Sequence, residues 1–240
     1  MPTLRIQPCA ITLLSALIFS VTAAGQTQIP VTGICNTGLT KASAVPEGCT
    51  TSTLVTPVNP VEGGDSVDGN WQLASPAPSA AYNEPAPNAC SLTAFGHAFV
   101  DDPWPGWFNP DDGLSQYITP KAEGPVAAGG WYVYRTGVAI PASQSGDTYA
   151  VLTIAGQVLV DNHLGAIVIE DPAGYAAGCK TVALPTGTYD TSWTAFSFSA
   201  PVLPHTLAVL YFITYNDEQS FGNPTGLRVE FTSAYLTPGN

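Results

Sequence analysis

The sequence contains few charged residues, and most of those it has are acidic. Of its 240 residues, six are Lys or Arg and 18 are Asp or Glu, so the formal net charge is −12. Charged residues make up 10% of the chain, against about 25% in typical globular proteins. Nucleic acids and anionic membrane surfaces are bound through Lys and Arg. We therefore expect neither a nucleic-acid partner nor a charged membrane surface as a partner.

The sequence also lacks an apolar run long enough to cross a membrane, which takes about 20 residues. Its longest apolar run, residues 10–21, follows Arg5 and precedes the small residues 22–25. This order is typical of a secretory signal peptide. It predicts a signal peptide over residues 1–24, with cleavage after Ala24 or Gly25 fitting equally well. By length, residues 25–240 make one domain or two small ones. We expect this part of the chain to be secreted to the periplasm or extracellular space, with no membrane insertion.

Helical patterns are missing as well, because no stretch keeps an apolar stripe at helical spacing. Instead, β-branched and aromatic runs recur between clusters of the 22 prolines and 23 glycines. The clearest predicted strands cover residues 131–140, 149–160, 192–198, 207–215 and 227–235. The turn-like residues 161–165 predict a hairpin that returns over 166–169. About eight to ten such strands, joined by long Pro/Gly-rich loops, predict an all-β sandwich or barrel.

The chain has five cysteines, and removal of Cys9 with the signal peptide leaves four. An even number in an exported protein predicts disulfides, and four cysteines allow three pairings. We favour Cys35–Cys49 with Cys90–Cys179, because the first pair closes a short loop. A zinc site is disfavoured because no CxxC-type spacing is present.

Several short motifs occur in a fixed order along the chain. They are Asn36-Thr37-Gly38, Asp68-Gly69-Asn70-Trp71, Gly106-Trp107, Ser115-Gln116-Tyr117-Ile118-Thr119-Pro120, Tyr132-Val133-Tyr134-Arg135-Thr136, Gly156 with Asp161-Asn162, and Asn223-Pro224-Thr225-Gly226-Leu227-Arg228-Val229-Glu230. Together they resemble a loosely defined group of exported bacterial proteins with a galactose-binding-domain-like jelly roll. The resemblance covers residues 34–231, nearly the whole mature chain. It therefore implies that residues 25–240 form a single domain, a jelly-roll-type β-sandwich. Tyr117 stands where that group usually has Trp, and the group does not require the cysteines.

No motif of a known enzyme class is present. There is no G-x-S-x-G, no H-E-x-x-H and no glycine-rich phosphate loop, and the three histidines are far apart in sequence. Glycoside hydrolysis needs two facing carboxylates. Neither acidic doublet, Asp101-Asp102 or Asp111-Asp112, supplies both, because adjacent side chains point apart. One residue from each doublet would be needed. We therefore predict a protein that is not an enzyme.

The most unusual stretch, residues 101–112, combines aromatic and acidic side chains in a Pro/Gly loop (DDPWPGWFNPDD). Sugars bind through aromatic rings that stack on their C–H faces and through carboxylates that accept hydroxyl protons. The candidate ligand-binding residues are Asp101, Asp102, Trp104, Trp107, Asp111 and Asp112. Trp104 is our choice for stacking. The alternative for Trp107 is that it covers the core, since it matches a position of the resembled group.

The same resemblance implies a structural Ca²⁺, because in such jelly rolls an early loop and the last strand often meet around this ion. The candidate ligands are Asp65, Asp68 and Asn70 in the loop and Glu230 in the closing strand, which offer the oxygen atoms that calcium prefers. The alternative is a solvated acidic loop. No cofactor is required.

Arg135 and Arg228 lie mid-strand in a chain with few basic residues. Each is interpreted either as a half-buried partner for Glu230 or an Asp, or as a donor in a binding groove.

These observations predict a secreted, non-catalytic binding module for a glycan or another cell-surface polymer. The first alternative is a structural or adhesive protein of the envelope or extracellular matrix. The second is a glycoside hydrolase-like enzyme that uses the acidic doublets.

Overall fold

A computed structural model describes residues 28–38, 67–74, 85–109, 114–122, 124–142, 149–171, 178–183, 192–217 and 223–239. The predicted signal peptide lies outside these residues. The described chain forms thirteen strands and one short 3-10 helix, Ala89–Ser91. None of the described helical structure is long and apolar enough to cross a membrane. The strands are β1 (Ile29–Pro30), β2 (Val67–Ala74), β3 (Gly96–Asp101), β4 (Tyr117–Thr119), β5 (Val126–Ala127), β6 (Gly130–Ala139), β7 (Ala150–Asp161), β8 (His163–Asp171), β9 (Gly178–Ala183), β10 (Thr194–Val202), β11 (Leu207–Asn216), β12 (Asn223–Pro224) and β13 (Gly226–Pro238).

Most strands belong to one large antiparallel sheet that bends back on itself. Its order is β10-β7-β13-β4-β3-β2-β6-β11-β8-β9, and β1 also pairs with β13. The inner faces of the two halves meet: Phe212 of β11 packs against Phe196 of β10 at 5.8 Å and Phe231 of β13 at 6.4 Å between ring centroids. The end strands β10 and β9 also approach each other, so the sheet nearly closes. The all-β, sandwich-like architecture predicted from the strand pattern is confirmed.

The burial of side chains in β10 and β11 follows the sequence patterns of these two strands. In β10 the buried Phe196 and Phe198 alternate with the exposed Ser197 and Ser199, as expected for a half-buried strand. In β11, by contrast, all residues from Ala208 to Asn216 are buried, because both faces of this strand are covered. This explains why the sequence of residues 207–215 is almost continuously apolar.

A segment of chain covers the outer face of the layer that contains β6, β11 and β8. A second apolar cluster lies there, which includes Trp131, Tyr211 and Ile213, and residues Leu92 and Phe95 pack against it from above. We call residues 85–95 the covering segment. It covers one outer face of the sandwich. On this side the protein therefore has two apolar layers beneath its surface, the central core and the second cluster.

The covering segment is attached at two points. The disulfide Cys90–Cys179 joins it to β9, which confirms one of the two predicted pairs. The ring of Phe95 lies over the Arg135 guanidinium, 3.6 Å from its carbon, and the Nε of Arg135 donates a 2.8 Å hydrogen bond to Gln72 Oε1. Cys35 is also disulfide-bonded, while its predicted partner, Cys49, lies outside the described residues.

The predicted hairpin between β7 and β8 is wrong. β7 pairs with β10 and β13, whereas β8 pairs with β11 and β9. One residue, Asn162, separates the two strands, and its Oδ1 accepts hydrogen bonds from Asp217 N at 2.8 Å and Asn223 Nδ2 at 2.6 Å. The backbone groups of both strands are thus used by other partners. The chain crosses from one layer to the other at Asn162.

Candidate functional site

The loop that follows β3 exposes Trp104 on a tight turn. The Trp107 N–H donates to Trp104 O at 2.9 Å, and Pro105 and Gly106 occupy the two central positions. Gly106 has φ of 101°, the positive value that a type II turn requires at its second central residue. The turn leaves the Trp104 side chain 42% exposed while Trp107 is buried. The two tryptophans therefore have different roles.

Trp107 anchors this turn to the sheet. Its Nε1 donates a 2.8 Å hydrogen bond to Asp161 Oδ2 at the end of β7, and its ring lies 4.5 Å from that of Tyr117. A Cβ atom at Gly226 would lie 2.8 Å from Trp107 Cη2, so only glycine leaves room for the ring there. Trp107 thus covers the sheet and fixes the direction of the loop.

Trp107 belongs to a small outer apolar cluster on the layer opposite the covering segment. Leu159 and Tyr117 complete its buried part, and Phe108 and Trp193 pack against it half-buried. Burial raises the pKa of the Tyr117 hydroxyl above its ordinary value of 10, with a smaller opposing effect from Arg228. The hydroxyl stays protonated and donates to Phe108 O at 2.9 Å. We call these five residues the outer aromatic cluster.

Arg228 supports this cluster from below as a buried cation. Its Nε donates to Ser115 Oγ at 2.6 Å and its Nη1 to Asn109 Oδ1 at 2.7 Å. Its Nη2 lies 3.6 Å from Glu230 Oε1, and both side chains are almost fully buried. The guanidinium also lies 5.2 Å from the Trp193 ring centroid. Arg228 therefore links the closing strand to the loop that carries Trp104.

The acidic candidates of this loop lie at its two ends. Asp101 ends β3 half-buried, opposite Tyr117, and the exposed Asp102 follows it. Asp111 and Asp112 lie outside the described residues. The structure thus brings Asp101, Asp102, Trp104 and Trp107 together in one strand end and turn, with Trp104 and Asp102 facing solvent.

Two of the four candidate calcium ligands, Asp68 and Glu230, accept hydrogen bonds from protein donors. Asp68 accepts backbone N–H groups from Gly38 at 2.6 Å and Asn70 at 2.7 Å. Glu230 accepts Ser115 Oγ at 2.6 Å and Gln157 Nε2 at 2.7 Å. Within the described ranges, no group of three or more His, Cys, Asp or Glu side chains is arranged to hold a metal, and Asp65 lies outside those ranges. The calcium site stays a prediction.

The Asn36-Thr37-Gly38 motif has a structural role that the sequence did not reveal. Asn36 Oδ1 and Thr37 Oγ1 accept the backbone N–H groups of Phe231 and Val229 on β13. Gly38 has φ of 74°, and a Cβ atom there would overlap the side chain of Gln116. The side chains of the motif thus bind backbone N–H groups of β13 that would otherwise need a neighbouring strand as their partner. The one feature of the sequence that pointed to this role was the position of the motif in the ordered set of motifs.

Asp68 should make the stability depend on pH. Desolvation raises its pKa from 3.8 to about 6, although backbone N–H groups of Asn70, Gly38 and Trp71 partly oppose the shift. The folded state thus holds the proton more tightly than the unfolded state. The stabilisation is present below about pH 4 and is lost as the pH rises through 6.

We therefore expect the free energy of unfolding of the wild type, relative to Asp68→Asn, to fall by about 2 kcal/mol between pH 4 and 7. Urea denaturation of both proteins at several pH values measures this difference. At every pH the variant should be less stable than the wild type. Both oxygens of Asp68 accept backbone N–H groups, and the amide N–H₂ of the Asp68→Asn variant would place a donor against one of these donors. A difference that stays constant with pH would show that the Asp68 carboxyl titrates near its ordinary value.

The sequence matches no known protein family and no curated protein.

Proposed function

We propose that the protein is a secreted, non-catalytic carbohydrate-binding module with a galactose-binding-domain-like jelly roll. The observation that carries this proposal is the exposed Trp104 ring on an anchored turn. An aromatic ring held in place offers a stacking surface with little loss of conformational entropy on binding. The exposed Asp102 and Asn109 beside it supply acceptors and donors for sugar hydroxyl groups.

Three further features support the proposal. The turn is fixed to the sheet through Trp107, and the loop is fixed through Arg228 and Asn109, so the site is preorganised. The sandwich-like sheet supports the jelly-roll type that the motif order implies. The disulfide Cys90–Cys179 suits an oxidising compartment, as expected of a secreted protein.

Replacing Trp104 with alanine should abolish most binding without affecting the fold. Tryptophans at binding hot spots cost about 2 kcal/mol or more when truncated, which is a loss of affinity of about thirtyfold. Trp104→Phe keeps a stacking face and should retain part of the affinity. Leu114→Ala removes the other large exposed apolar side chain of the described residues and should bind as the wild type does.

A glycan array followed by pull-down on insoluble polysaccharides measures this binding, and thermal melts check the fold. If Trp104→Ala binds the same glycans with unchanged affinity, the site is elsewhere. If the wild type binds no glycan, the proposed function is wrong.

The second candidate is a structural or adhesive protein of the envelope or matrix. It is favoured by the outer face of β10, β7 and β13, whose solvent-facing side chains are uncharged and which another copy of the chain would also fit. A glycoside hydrolase is the third candidate. It requires turnover that is lost in Asp102→Asn or Asp111→Asn.

A further inference from the structure

One outer face of the sandwich carries almost no charge. In β10, β7 and β13, alternate side chains point into the core, such as Phe198, Ile154 and Leu236. The others point outward in aligned rows across the three strands. The outward positions are Ala195, Ser197, Ser199 and Pro201 on β10, Val151, Thr153, Ala155, Gln157, Leu159 and Asp161 on β7, and Arg228, Glu230, Ser233, Tyr235 and Thr237 on β13.

The structure describes all three strands in full, and the charged residues at these outward positions are Asp161, Arg228 and Glu230. All three are buried, with at most 4% exposed, because Arg228 pairs with Glu230 and Asp161 accepts a hydrogen bond from Trp107. The solvent-facing surface of these strands is therefore neutral, in a chain with a net charge of −12. Exposed acidic side chains, which aid solubility, lie elsewhere on the protein; Asp102 is an example. A surface without charge in such a protein suits an uncharged partner.

The groups that this face offers are hydroxyls, an amide and aromatic rings. Ser199 and Thr153 hydrogen-bond to each other across the strands at 2.9 Å between their hydroxyl oxygens, so the hydroxyl row is ordered. Tyr235 lies in the same row, since Tyr235 and Ser199 both pair with Thr153. Trp193 lies at the other end, where it packs on the outer aromatic cluster.

The face is continuous with the Trp104 site. Trp193 packs with Trp107 in the outer aromatic cluster, and Trp107 closes the turn that carries Trp104. Along β7, Leu159 of this cluster and Thr153 are six residues apart, which corresponds to about 20 Å of strand. This length suits an extended chain of several sugars and exceeds what a single sugar needs.

We propose that the exposed face of β10, β7 and β13 binds an uncharged polysaccharide chain that extends along the strands from the Trp104 site. The proposal rests on the proposed carbohydrate-binding function and adds the ligand's charge, its length and its path. Sugar hydroxyls meet the Ser, Thr and Gln side chains, and Trp193 and Tyr235 offer rings for stacking. An anionic polysaccharide is disfavoured because the acidic protein repels it.

The test uses the mature protein with the uncharged oligosaccharides found on a glycan array, in increasing chain length, and with polygalacturonate as an anionic probe. Ser197→Arg and Ser233→Arg each place a long charged side chain in the row that contains Ala155. Thr93→Arg, on the exposed part of the covering segment, makes the same charge change on the opposite layer. Thermal melts check that each variant is folded, and sedimentation measures self-association.

We expect the wild-type affinity to rise with oligosaccharide length and polygalacturonate not to bind. Ser197→Arg and Ser233→Arg should each reduce the affinity for the long oligosaccharides at least about tenfold, while Thr93→Arg binds as the wild type does. An affinity that stops rising after one sugar overturns the proposal, and this measurement needs no variant.

The remaining outcomes separate this proposal from the proposed function. If Trp104→Ala loses binding while Ser197→Arg and Ser233→Arg bind as Thr93→Arg does, the site is confined to the Trp104 loop and the proposal for the face is wrong. If the wild type binds no glycan, both proposals are wrong. If the wild type self-associates without binding glycan and Ser197→Arg abolishes the association, the face is an interface between copies of a structural protein.

Discussion

Removal of the Cys90–Cys179 disulfide by a Cys90→Ser/Cys179→Ser double substitution is expected to lower the free energy of unfolding by about 4 kcal/mol. The two cysteines are 89 residues apart in sequence, so the bond removes many conformations from the unfolded chain. The loss corresponds to a decrease of about 10 °C or more in melting temperature for a domain of this size. Few single changes outside the core should have a larger effect.

The expected effect is also local. The disulfide holds the covering segment and β9 together at the sheet end, above the second apolar cluster. Without it, amide hydrogens of residues 85–95 and of β9 should exchange faster than those of β6 and β11. Urea denaturation and hydrogen exchange of the double variant measure both effects. A single Cys90→Ser variant is unsuitable as a control, because it leaves a free thiol at Cys179.

The disulfide prediction would be contradicted by a variant whose free energy of unfolding lies within about 1 kcal/mol of the wild type. That outcome would mean that the cation–π contact of Phe95 with Arg135 and the apolar contacts of Leu92 and Phe95 suffice to hold the covering segment. Hydrogen exchange distinguishes the cases, since it would then show equal protection of residues 85–95 in both proteins.

Replacing Arg228 with methionine is expected to cost about 3–5 kcal/mol of stability, because it leaves the Glu230 carboxylate buried without its cation. Glu230 would keep the hydrogen bonds from Ser115 and Gln157, which do not neutralise its charge. Asn109 would lose its donor, so the loop that carries Trp104 should also become less ordered. Glycan affinity should therefore fall together with stability.

A double-mutant cycle tests the origin of this cost. Arg228→Met/Glu230→Met removes both charges and should be more stable than Arg228→Met alone, since a buried pair replaced by apolar groups costs little. Arg135→Met is the matched control: Arg135 is half-buried, and the side chains with which it hydrogen-bonds, Gln72 and Tyr211, are neutral. It should cost about 1 kcal/mol. Equal losses for Arg228→Met and Arg135→Met would contradict the role assigned to the buried charge pair.

Local sequence patterns were sufficient to locate the main strands and the loop that carries Trp104. The alternation in β10 and the continuous apolar run of β11 predicted one half-buried and one fully covered strand, because side-chain direction in a strand alternates whatever its neighbours are. The Pro105-Gly106 pair likewise favours a turn beside Trp104. These features depend on residues close together in the chain.

Partners distant in sequence were not predictable in this way. The turn residues between β7 and β8 suit a hairpin, yet β10 and β13 compete for the same backbone groups of β7 and are preferred in the folded sheet. Asp68 and Glu230 accept hydrogen bonds from Gly38 and Ser115, which are far from them along the chain. Residue type alone does not reveal which distant donors a carboxylate meets in the folded protein.

The sequence by itself therefore determined the all-β class, the positions of the main strands and the acidic, charge-poor character of the chain, since each follows from composition or from a period of two residues. Only the tertiary structure decided that Arg228 pairs with Glu230, that Trp107 is buried while Trp104 is exposed, and that three strands form an uncharged face. The physical reason is that burial and pairing energies depend on which segments meet, and β-sheets join segments that are far apart in the chain.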